Sequence, residues 1–455
     1  MLINARAKIN WTLDITGRRE DGYHLMDMLM QPVTLCDTIS LTEAETLTLT
    51  CGGTPRLTAS EDNLALRAAQ ALRSRTGCTR GAAIHVEKRI PVGAGMGGGS
   101  ADAAAVLRGL NRLWALNLSE RELEEIGLTL GADVPFCLRG GLTRTTGIGE
   151  RMTALPCGRT WPLVVVQPGE GLSTGAVFGA YDHAGAARRP DTAAAADALS
   201  AGDASRLADT LANVLEPVSR AKCPAIGEAI DALKELGAVA ALMTGSGSAV
   251  FGVFASDDAA DDAEEALLAR YERVFRCRTA ARSAIVEDTC IETARLVIRP
   301  LDFSMAAALC RGSQDAQTRR FLPDEVFETE DDAREAIEAL TEGYGLARRA
   351  QVYEVALRNG DHVGFVELSP TDDDMEIGYQ VAEPMRGHGY AAEAVRAFLP
   401  VMAARWNLTH VKGICVSDNN ASKAVLSASG FTPLGDSPEL EHGTLKSCSH
   451  WLWKP

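Results

Sequence analysis

The sequence has neither paired cysteines nor a leader-like start. Its 11 cysteines are spread singly from Cys36 to Cys448, with no Cys-x-x-Cys pair and no histidine cluster at zinc-binding spacing. The amino terminus also lacks the basic start and apolar run that a secretory signal requires. The sequence therefore predicts reduced thiols and a cytoplasmic location.

Basic residues are the minority charge. Lys and Arg number 45 against 61 Asp and Glu, a formal net charge of −16. Such an excess repels a nucleic-acid backbone at long range, so nucleic acid is not an expected partner. A local basic pocket for a small phosphate ligand remains compatible with this charge.

Long apolar runs are also missing. The one extended uncharged stretch, residues 237–256, is interrupted by Thr-Gly-Ser-Gly-Ser at 244–248. The interruption favours a strand, a glycine turn and a second strand over a membrane helix. No membrane partner is therefore expected.

The chain is long enough for two or three folding units. It has 455 residues, of which 46% are apolar and 23% charged, values typical of folded globular proteins. No internal repeat is evident. A seam is predicted at residues 283–294, because Arg-Leu-Val-Ile-Arg-Pro-Leu at 295–301 then begins as a fresh strand.

The first strand alternates strictly. From Ile3 to Ile15 the odd positions are mainly apolar and the even positions polar, which predicts a strand with one buried face. Lys8 and Asn10 then project from the same polar face. A solvated sheet face is the simpler interpretation of that pattern, and a functional pair is the alternative.

An aromatic residue and a histidine follow the first turn. Gly17 and Gly22 bound the turn, and Tyr23 and His24 come directly after it. The two rings are compatible with simple packing. They also suit a platform on which a heterocyclic base stacks while the imidazole bonds its edge.

The strongest signal is a glycine loop at 91–102, Pro-Val-Gly-Ala-Gly-Met-Gly-Gly-Gly-Ser-Ala-Asp. It follows a strand-like run and precedes a helix whose apolar positions include Val106 and Leu110. Ser100 is expected to cap that helix. Glycine backbone and a helix amino terminus together form an anion cradle, so the loop predicts phosphate binding.

Two common phosphate loops fit poorly. The Walker pattern requires Gly-Lys-Ser/Thr, and this loop has no lysine. Gly93, Gly95 and Gly98 satisfy the dinucleotide spacing, but that motif needs an acidic residue ending a second strand about 20 residues on. Residues 119–125 instead predict a helix.

Asp133 lies in an apolar stretch just before Pro135. Alone, such a residue is commonly a helix-end or turn residue. Paired with Lys8, it would accept a hydroxyl proton while the ammonium stabilises developing charge.

Three separated segments together resemble the GHMP kinases. They are the loop at 91–101, the strand segment Ala-Lys-Ile-Asn at 7–10, and the turn at 244–248. Tyr23, His24 and the segment Gly-Ala-Asp-Val-Pro-Phe at 131–136 are similar to the branch that phosphorylates a cytidine-bearing sugar alcohol. The resemblance covers roughly residues 1–285. It implies an α+β, two-lobed kinase with an ATP-binding domain at 1–150 and a second domain at 151–287.

The family's roles transfer residue by residue. Asp133 resembles the general base and Lys8 its charge-stabilising partner, with ATP and Mg²⁺ as cofactors. Asn10, Tyr23, His24 and Phe178 resemble the substrate site, in which Tyr23 and Phe178 sandwich the cytosine. The residues that would hold the ATP phosphates are Pro91, Gly93, Gly95, Gly97, Gly98, Gly99, Ser100 and Ala101.

Two features depart from the family. Val214 stands in Asn-Val-Leu-Glu-Pro at 213–217, where the family usually has an aspartate. The sequence also offers no dedicated magnesium carboxylate, so the metal ligands stay unassigned.

A second strand, glycine loop and helix begins at Met375. Residues 383–391 read Glu-Pro-Met-Arg-Gly-His-Gly-Tyr-Ala, and a helical run extends to Trp406. Together with a later strand at 411–416 and helix at 418–431, this resembles the GNAT acetyltransferases. The resemblance implies an α/β domain at 291–455 with a mixed, mostly antiparallel sheet. The residues that would bind acetyl-CoA are Val381, Arg386, Gly387, Gly389, Tyr390, Ala391 and Asn420.

The second activity is less defined than the first. Small-molecule substrates are expected throughout, and the acetyl acceptor is a small amine or a protein amino terminus, with no residue to decide between them. Glu367, Glu376 and Ser429 are possible proton acceptors, and each has an equally simple structural role. The alternative is another GHMP small-molecule kinase, acting for example on mevalonate or homoserine, whose carboxy-terminal domain only binds acetyl-CoA as a regulator.

Overall fold

The computed structural model describes residues 1–53, 62–185, 188–287, 289–302, 305–342, 344, 349–371, 374–441 and 444–455. The chain divides into two compact units, one of Met1 and Ile3–Ala284 and the other of Leu2 and Ile285–Pro455. An alanine-rich segment extends from His183 to Asp203, and its residues 186 and 187 lie outside the described residues. None of the helices in the described part of the chain has the length and apolar character needed to cross a membrane.

The first unit contains two sheets and a set of helices. Its strands are β1 (Leu2–Arg18), β2 (His24–Ala44), β3 (Leu47–Gly53), β4 (Gly81–Lys88), β5 (Thr143–Gly147), β6 (Arg151–Ala154), β7 (Pro162–Val166), β8 (Ala240–Met243), β9 (Val250–Val253) and β10 (Val274–Arg278). Its helices are α1 (Leu64–Thr76), α2 (Gly98–Leu113), α3 (Glu120–Leu130), α4 (Val134–Arg139), α5 (Thr174–Ala184), α6 (Thr192–Ala201), α7 (Ala204–Thr210), α8 (Glu216–Lys222), α9 (Ala225–Glu235) and α10 (Asp257–Leu268).

The larger sheet runs in the order β1-β2-β4-β3, with β5 on β2 and β6 on β5. The smaller sheet runs in the order β10-β7-β9-β8 and is antiparallel throughout. Strands β8 and β9 confirm the predicted strand, glycine turn and strand at 237–256. A core centred on Trp11, Trp161 and Phe251 joins residues of both sheets, and their rings meet edge to face.

The alternation of β1 is confirmed, but the expectation of a single buried face is wrong. Lys8, Asn10 and Thr12 on the polar face are each less than 5% exposed, like the apolar residues between them. The reason is tertiary, because the glycine loop and the turn at 244–248 cover this face. The backbone N–H of Lys8 donates to Met96 O at 3.0 Å, and that of Asn10 donates to Thr244 Oγ1 at 3.0 Å.

Strand β11 (Ala284–Glu287) marks the junction, and the second unit is built on one sheet. Its strands are β12 (Ile291–Glu292), β13 (Leu296–Pro300), β14 (Gln351–Leu357), β15 (His362–Pro370), β16 (Met375–Val381), β17 (Val411–Val416), β18 (Thr432–Glu441) and β19 (Thr444–Trp453). Its helices are α11 (Ala306–Ser313), α12 (Ala316–Phe321), α13 (Glu330–Glu342), α14 (Tyr390–Trp406) and α15 (Asn420–Ala428).

The sheet order is β12-β13-β14-β15-β16-β17-β19-β18. All neighbours are antiparallel except β16 and β17, which are parallel. Tyr353, Phe398 and Leu426 belong to one apolar core, in which α14 and α15 pack against the sheet. The predicted mixed, mostly antiparallel sheet is confirmed.

Candidate functional site

Three segments that are far apart in sequence meet around the glycine loop of the first unit. The loop at 91–97 lies between β1 and the turn at 244–248, and Ala249 N donates to Ala94 O at 3.1 Å. Gly95 has φ +80°, and a Cβ there would lie 2.3 Å from Thr244 O. Only glycine permits both this conformation and this approach. The loop is therefore held between two backbone segments.

The loop ends at the start of α2. Gly97, with φ +71°, is the N-cap residue, so the helix begins at Gly98. The prediction that Ser100 caps the helix is wrong, because glycine at 97 allows the turn to close three residues earlier and puts Ser100 inside the first turn. The first amides of a helix have no intrahelical acceptor, so this end offers donors and positive potential to an anion.

Lys8 reaches the loop from β1. Its Nζ donates to Asn10 Oδ1 at 2.7 Å and to Gly95 O at 2.9 Å. Two neutral acceptors orient the ammonium without neutralising it. A third partner, the carboxylate of Asp133, lies 3.6 Å from Nζ.

Asp133 occupies the N-cap position of α4, but its side chain makes no capping hydrogen bond to the described backbone. Its side chain is 35% exposed, whereas that of Lys8 is 5% exposed. Asp133 therefore has the position of a helix-end residue, but it lacks the capping hydrogen bond that such a residue usually makes. The carboxylate remains free to accept a proton from a ligand beside Lys8.

Lys8 and Asp133 line one cavity of about 1130 Å³ together with the glycine loop. Other residues that line it are Asn10, Tyr23, His24, Pro91, Gly93, Gly95, Gly97, Gly98, Gly99, Ser100 and Phe178. The structure therefore brings these predicted kinase residues to a single cavity. Ala101, which the cavity does not include, is buried in the first turn of α2.

The aromatic residues lie at one part of this cavity. The rings of His24 and Phe178 are 4.9 Å apart between centroids, and Tyr23 is 61% exposed. An exposed aromatic side chain beside two rings offers surface on which a planar heterocycle can stack. His24 Nε2 also hydrogen-bonds Asp182 Oδ1 at 2.6 Å.

A buried ion cluster lies under the loop. Lys88 at the end of β4 contacts Asp37 and donates to Asp102 Oδ2 at 2.8 Å, and all three are at most 4% exposed. Asp37 Oδ1 also accepts from the amides of Arg89 and Ile90. The cluster ties the strand that enters the loop to the helix that leaves it.

Burial controls the protonation of this cluster. Burial and the charge of Asp37 raise the pKa of Asp102 well above its usual range, against the opposing charge of Lys88. Burial lowers the pKa of Lys88, but the charges of Asp102 and Asp37 outweigh it and raise that pKa overall. Lys88 therefore stays charged.

The segment 213–217 has valine at 214 where the family usually has aspartate, and the contacts of Asn213 and Val214 show why the segment still supports the turn. Asn213 Nδ2 donates to Met243 O at 2.9 Å and to Gly245 O at 2.8 Å, which braces the turn at 244–248. Val214 is fully buried. An apolar side chain at 214 therefore contributes to the core, and the turn keeps its support.

The second unit has a comparable loop before α14. Gly387 and Gly389 have φ of +79° and +77°, and Gly389 is the N-cap residue. Residues 387–389 are exposed, and the first backbone amides of α14 have no intrahelical acceptor. Tyr390 and Ala391 form the first turn.

Arg386 is committed to the protein rather than to an open site. Its guanidinium bonds both oxygens of Asp315 at 2.8 and 2.7 Å, and its Nε donates to Val381 O at 2.8 Å. Burial raises the pKa of Asp315, but the hydrogen bonds from Arg386 and Thr318 outweigh it and hold that pKa far below its usual range. Arg386 thus positions the loop.

Strands β16 and β17, all of whose residues are described, share a single pair at Glu376 and Lys412. No further residues of these two strands are paired with each other. The hydroxyl of Tyr379 on β16 is 2.8 Å from Ser422 Oγ on α15, and Asn420 is exposed at the start of that helix. The single pair lies near the start of both strands, so β16 from Ile377 to Val381 is not paired with β17.

Glu367 and Glu376 lie on neighbouring strands of this sheet. Gly378 is directly opposite Glu367, and a Cβ at 378 would lie 2.3 Å from Glu367 Oε1. Burial, and then the charge of Glu376, raises the pKa of Glu367 to about 7. Ser429, the third possible proton acceptor, is buried at the end of α15.

Sequence reasoning missed several residues of these sites. Lys88 ends a strand directly before the loop, which is a usable signal, and Asp102 belongs to the loop motif itself. Asp37 and Asp182 gave no signal, because they lie 51 and 158 residues from the partners Lys88 and His24.

Family models match in the same places. The model for the GHMP kinases N terminal domain matches residues 63–141, and that for the GHMP kinases C terminal matches residues 195–273. The model for the Acetyltransferase (GNAT) domain matches residues 295–432.

Curated relatives extend the match over the whole kinase part. The 4-diphosphocytidyl-2-C-methyl-D-erythritol kinase of Alkaliphilus oremlandii is 42% identical over 283 residues, which is 61% of this chain and 96% of the relative. That of Symbiobacterium thermophilum is 46% identical over 255 residues, covering 56% of this chain and 90% of the relative.

Solved structures agree. A crystal structure of 4-(cytidine 5'-diphospho)-2C-methyl-D-erythritol kinase has a TM-score of 0.54 and 35% identity, and covers 62% of this chain and 99% of that one. A homoserine kinase from Cytophaga hutchinsonii, at 17% identity and a TM-score of 0.50, shares the fold over 63% of this chain and 97% of its own. The chain therefore belongs to the GHMP kinase family and carries a GNAT acetyltransferase domain after its kinase part.

Proposed function

We propose that the first unit transfers the γ-phosphate of ATP to the 2-hydroxyl of 4-diphosphocytidyl-2-C-methyl-D-erythritol, a step of the non-mevalonate isoprenoid pathway. One observation carries the proposal. Lys8 and Asp133, 3.6 Å apart, face a glycine-loop helix terminus in the same cavity as Tyr23 and Phe178. Relatives that are about 40% identical carry that kinase name.

In this proposal each group has a role. The amides at the start of α2 hold the phosphates, and Asp133 takes the proton of the attacking hydroxyl. Lys8, oriented by Asn10 and Gly95, stabilises the negative charge that develops on the transferring group. Tyr23 and Phe178 hold the cytosine ring, which places the sugar alcohol between them and the loop.

Magnesium would neutralise phosphate charge in this reaction. Among the described residues, no group of three His, Cys, Asp or Glu side chains is placed to bind a metal ion alone. Kinase magnesium is commonly held by one or two carboxylates together with phosphates and waters. The carboxylates that line the cavity are Asp21, Asp62, Asp102 and Asp133, and the ligands of the magnesium ion stay unassigned.

For the second unit we propose acetyl transfer from acetyl-CoA to an amine. The loop at 386–389, the start of α14 and the part of β16 that is not paired with β17 support binding of the cofactor's pyrophosphate and pantetheine arm. The acceptor is a small amine or a protein amino terminus. The raised pKa of Glu367 favours it over Ser429 as a proton acceptor.

The alternative keeps the second unit as an acetyl-CoA-binding regulator of the kinase. Each site can be tested alone, because kinase activity needs no acetyl-CoA if the units act independently. Kinase turnover that responds to acetyl-CoA would favour the regulatory alternative.

Location in the cytoplasm stays a prediction. All 11 cysteines lie in the described ranges and none of them forms a disulfide there, which is compatible with a reducing compartment.

The test of the kinase proposal is ADP release by the intact chain. We expect turnover with 4-diphosphocytidyl-2-C-methyl-D-erythritol and none above background with mevalonate or homoserine, since neither carries a base to stack. Equal or faster turnover with mevalonate or homoserine would contradict the proposal.

A further inference from the structure

Asp182 contacts the one histidine of the aromatic site. It lies on α5, four residues after Phe178, so both side chains emerge from the same face of that helix. Its Oδ1 is 2.6 Å from His24 Nε2, and its Oδ2 is 3.2 Å from Arg18 Nη1. Each carboxylate oxygen therefore has its own partner.

This contact determines which nitrogen of the His24 ring carries the hydrogen. The hydrogen bond from His24 lowers the pKa of Asp182, and the charge of Arg18 acts in the same direction against burial. The carboxylate is then ionised at neutral pH and can only accept, so His24 Nε2 must carry a hydrogen. In the neutral ring, Nδ1 is left with a lone pair.

His24 Nδ1 is available to a ligand. Among the described residues, the hydrogen bond to Asp182 is the one that the His24 ring makes, and the residue lines the cavity beside Tyr23 and Phe178. The ring orientation is set from one side by Asp182 and from the other by Phe178, 4.9 Å away. An acceptor atom is thus held at a defined place next to the stacking surface.

We infer that Asp182 is a specificity-determining positioning residue, which holds His24 as a hydrogen-bond acceptor and so selects a base with an exocyclic amine over one with a carbonyl at that position. This deepens the proposed function, on which it rests. Cytosine presents an amine donor on its pairing edge, and uracil presents a carbonyl acceptor there. Two facing acceptors leave a buried polar group without a bond, which disfavours uracil.

The Asp182→Asn variant makes the inference testable. An asparagine amide can donate to Nε2, which favours the ring form with hydrogen on Nδ1. His24 would then face the cavity as a donor and prefer the carbonyl of uracil. The substitution barely changes the size of the side chain, and Asp182 is exposed. Circular dichroism checks directly that the variant folds.

The experiment is calorimetric titration of the intact chain with cytidine 5'-diphosphate and with uridine 5'-diphosphate. A saturating non-hydrolysable ATP analogue blocks the nucleotide site. We expect the wild-type protein to bind the cytidine compound about tenfold to a hundredfold more tightly. Asp182→Asn should lower that ratio at least tenfold, and Asp262→Asn, an exposed charge removal on α10, should leave it unchanged.

Two outcomes overturn the inference: a wild-type protein with no preference for cytidine, or an Asp182→Asn protein with the wild-type ratio. Failure of the kinase proposal looks different. If ADP release with the cytidyl substrate is absent but the binding preference exists and depends on Asp182, the inference stands and the proposed reaction is wrong. If turnover is normal and the ratio is insensitive to Asp182, the reverse holds.

Discussion

The glycine loops before α2 and before α14 have the same construction and different surroundings. Each ends in a glycine N-cap with positive φ, +71° at Gly97 and +77° at Gly389, and neither has a side-chain cap. Both therefore present unpaired helix amides to an anion. The backbone alone would assign the two loops one function.

The side chains around the loops separate them. At the first loop, Lys8 and Asp133 face the cavity with a charge and a proton acceptor. At the second, Arg386 is bonded to Asp315, and Arg295 is bonded to Glu393 at 2.7 Å and to His388 O. A helix terminus selects for an anion, and the chemistry comes from the side chains that remain uncommitted beside it.

The largest expected effect removes the proton acceptor at the first loop. Asp133→Asn should lower kcat for ADP release about 10²- to 10⁴-fold, because the amide cannot accept the hydroxyl proton. The KM for ATP should change little, since in the described part of the chain the side chain of Asp133 makes no hydrogen bond to the loop. Steady-state kinetics measure both constants. Asp231→Asn, which removes an exposed charge on α9, is the control, and near-normal kcat in Asp133→Asn would take Asp133 out of the mechanism.

The second prediction compares the ion pairs under the two loops. Lys88→Met leaves Asp37 and Asp102 buried without their cation, so the first unit should lose about 3–5 kcal/mol of unfolding free energy. Arg386→Met leaves a partly solvated Asp315 and should cost the second unit about 1 kcal/mol. Urea denaturation of each variant provides the comparison.

A neutral cluster is the control for this pair. Combining Lys88→Met with Asp37→Asn and Asp102→Asn removes the unpaired charges and should recover part of the loss. If Lys88→Met and Arg386→Met lower the free energy of unfolding equally, the deeper burial of the Lys88 cluster does not raise the cost of removing its cation.

How far the sequence reached is clearest at β1. Strand alternation placed Lys8 and Asn10 on one face, and their side chains do bond at 2.7 Å. That the face is buried could not be read from the strand, because the covering segments at 91–97 and 244–248 lie about 85 and 235 residues away. Local periodicity reports which residues share a face, and tertiary contacts decide what covers it.

The same limit applies in the second unit. The strand predicted at 411–416 matches β17 at both ends, and the strand predicted to begin at Met375 does begin there. The partner of Arg386 was not predictable, since Asp315 lies 71 residues earlier, at the N-cap of α12. The error at Ser100 has a different source, because serine is a good N-cap and a glycine with positive φ can begin the helix sooner.

The third prediction asks whether the second unit has a group that titrates near neutral pH. The pKa of Glu367, ordinarily 4.5, is raised to about 7, so its neutral form stabilises the fold below pH 4.5 and this contribution is lost as pH rises to 7. Glu367→Gln should abolish that loss. The variant should therefore gain up to about 3 kcal/mol over wild type between pH 4.5 and 8. Chemical denaturation across this range measures the difference.

Glu335→Gln, on the exposed face of α13, is the matched control and should follow the wild-type pH profile. If Glu367→Gln also follows the wild-type pH profile, Glu367 has an ordinary pKa. The second unit then has no carboxylate at this position that titrates near neutral pH.

The smallest expected effect concerns how Arg386 serves its loop. Arg386→Glu should weaken acetyl-CoA binding about tenfold or more, because two carboxylates would then face each other where the pair with Asp315 now holds the loop. If Arg386 acts by positioning, the exchanged pair Arg386→Glu with Asp315→Arg should recover most of the affinity. If the guanidinium of Arg386 contacts the pyrophosphate directly, the exchange should recover no affinity, because the guanidinium is then attached at position 315 and not at 386. Calorimetry with acetyl-CoA separates these results, and ADP release should stay unchanged in both variants if the two loops serve separate reactions.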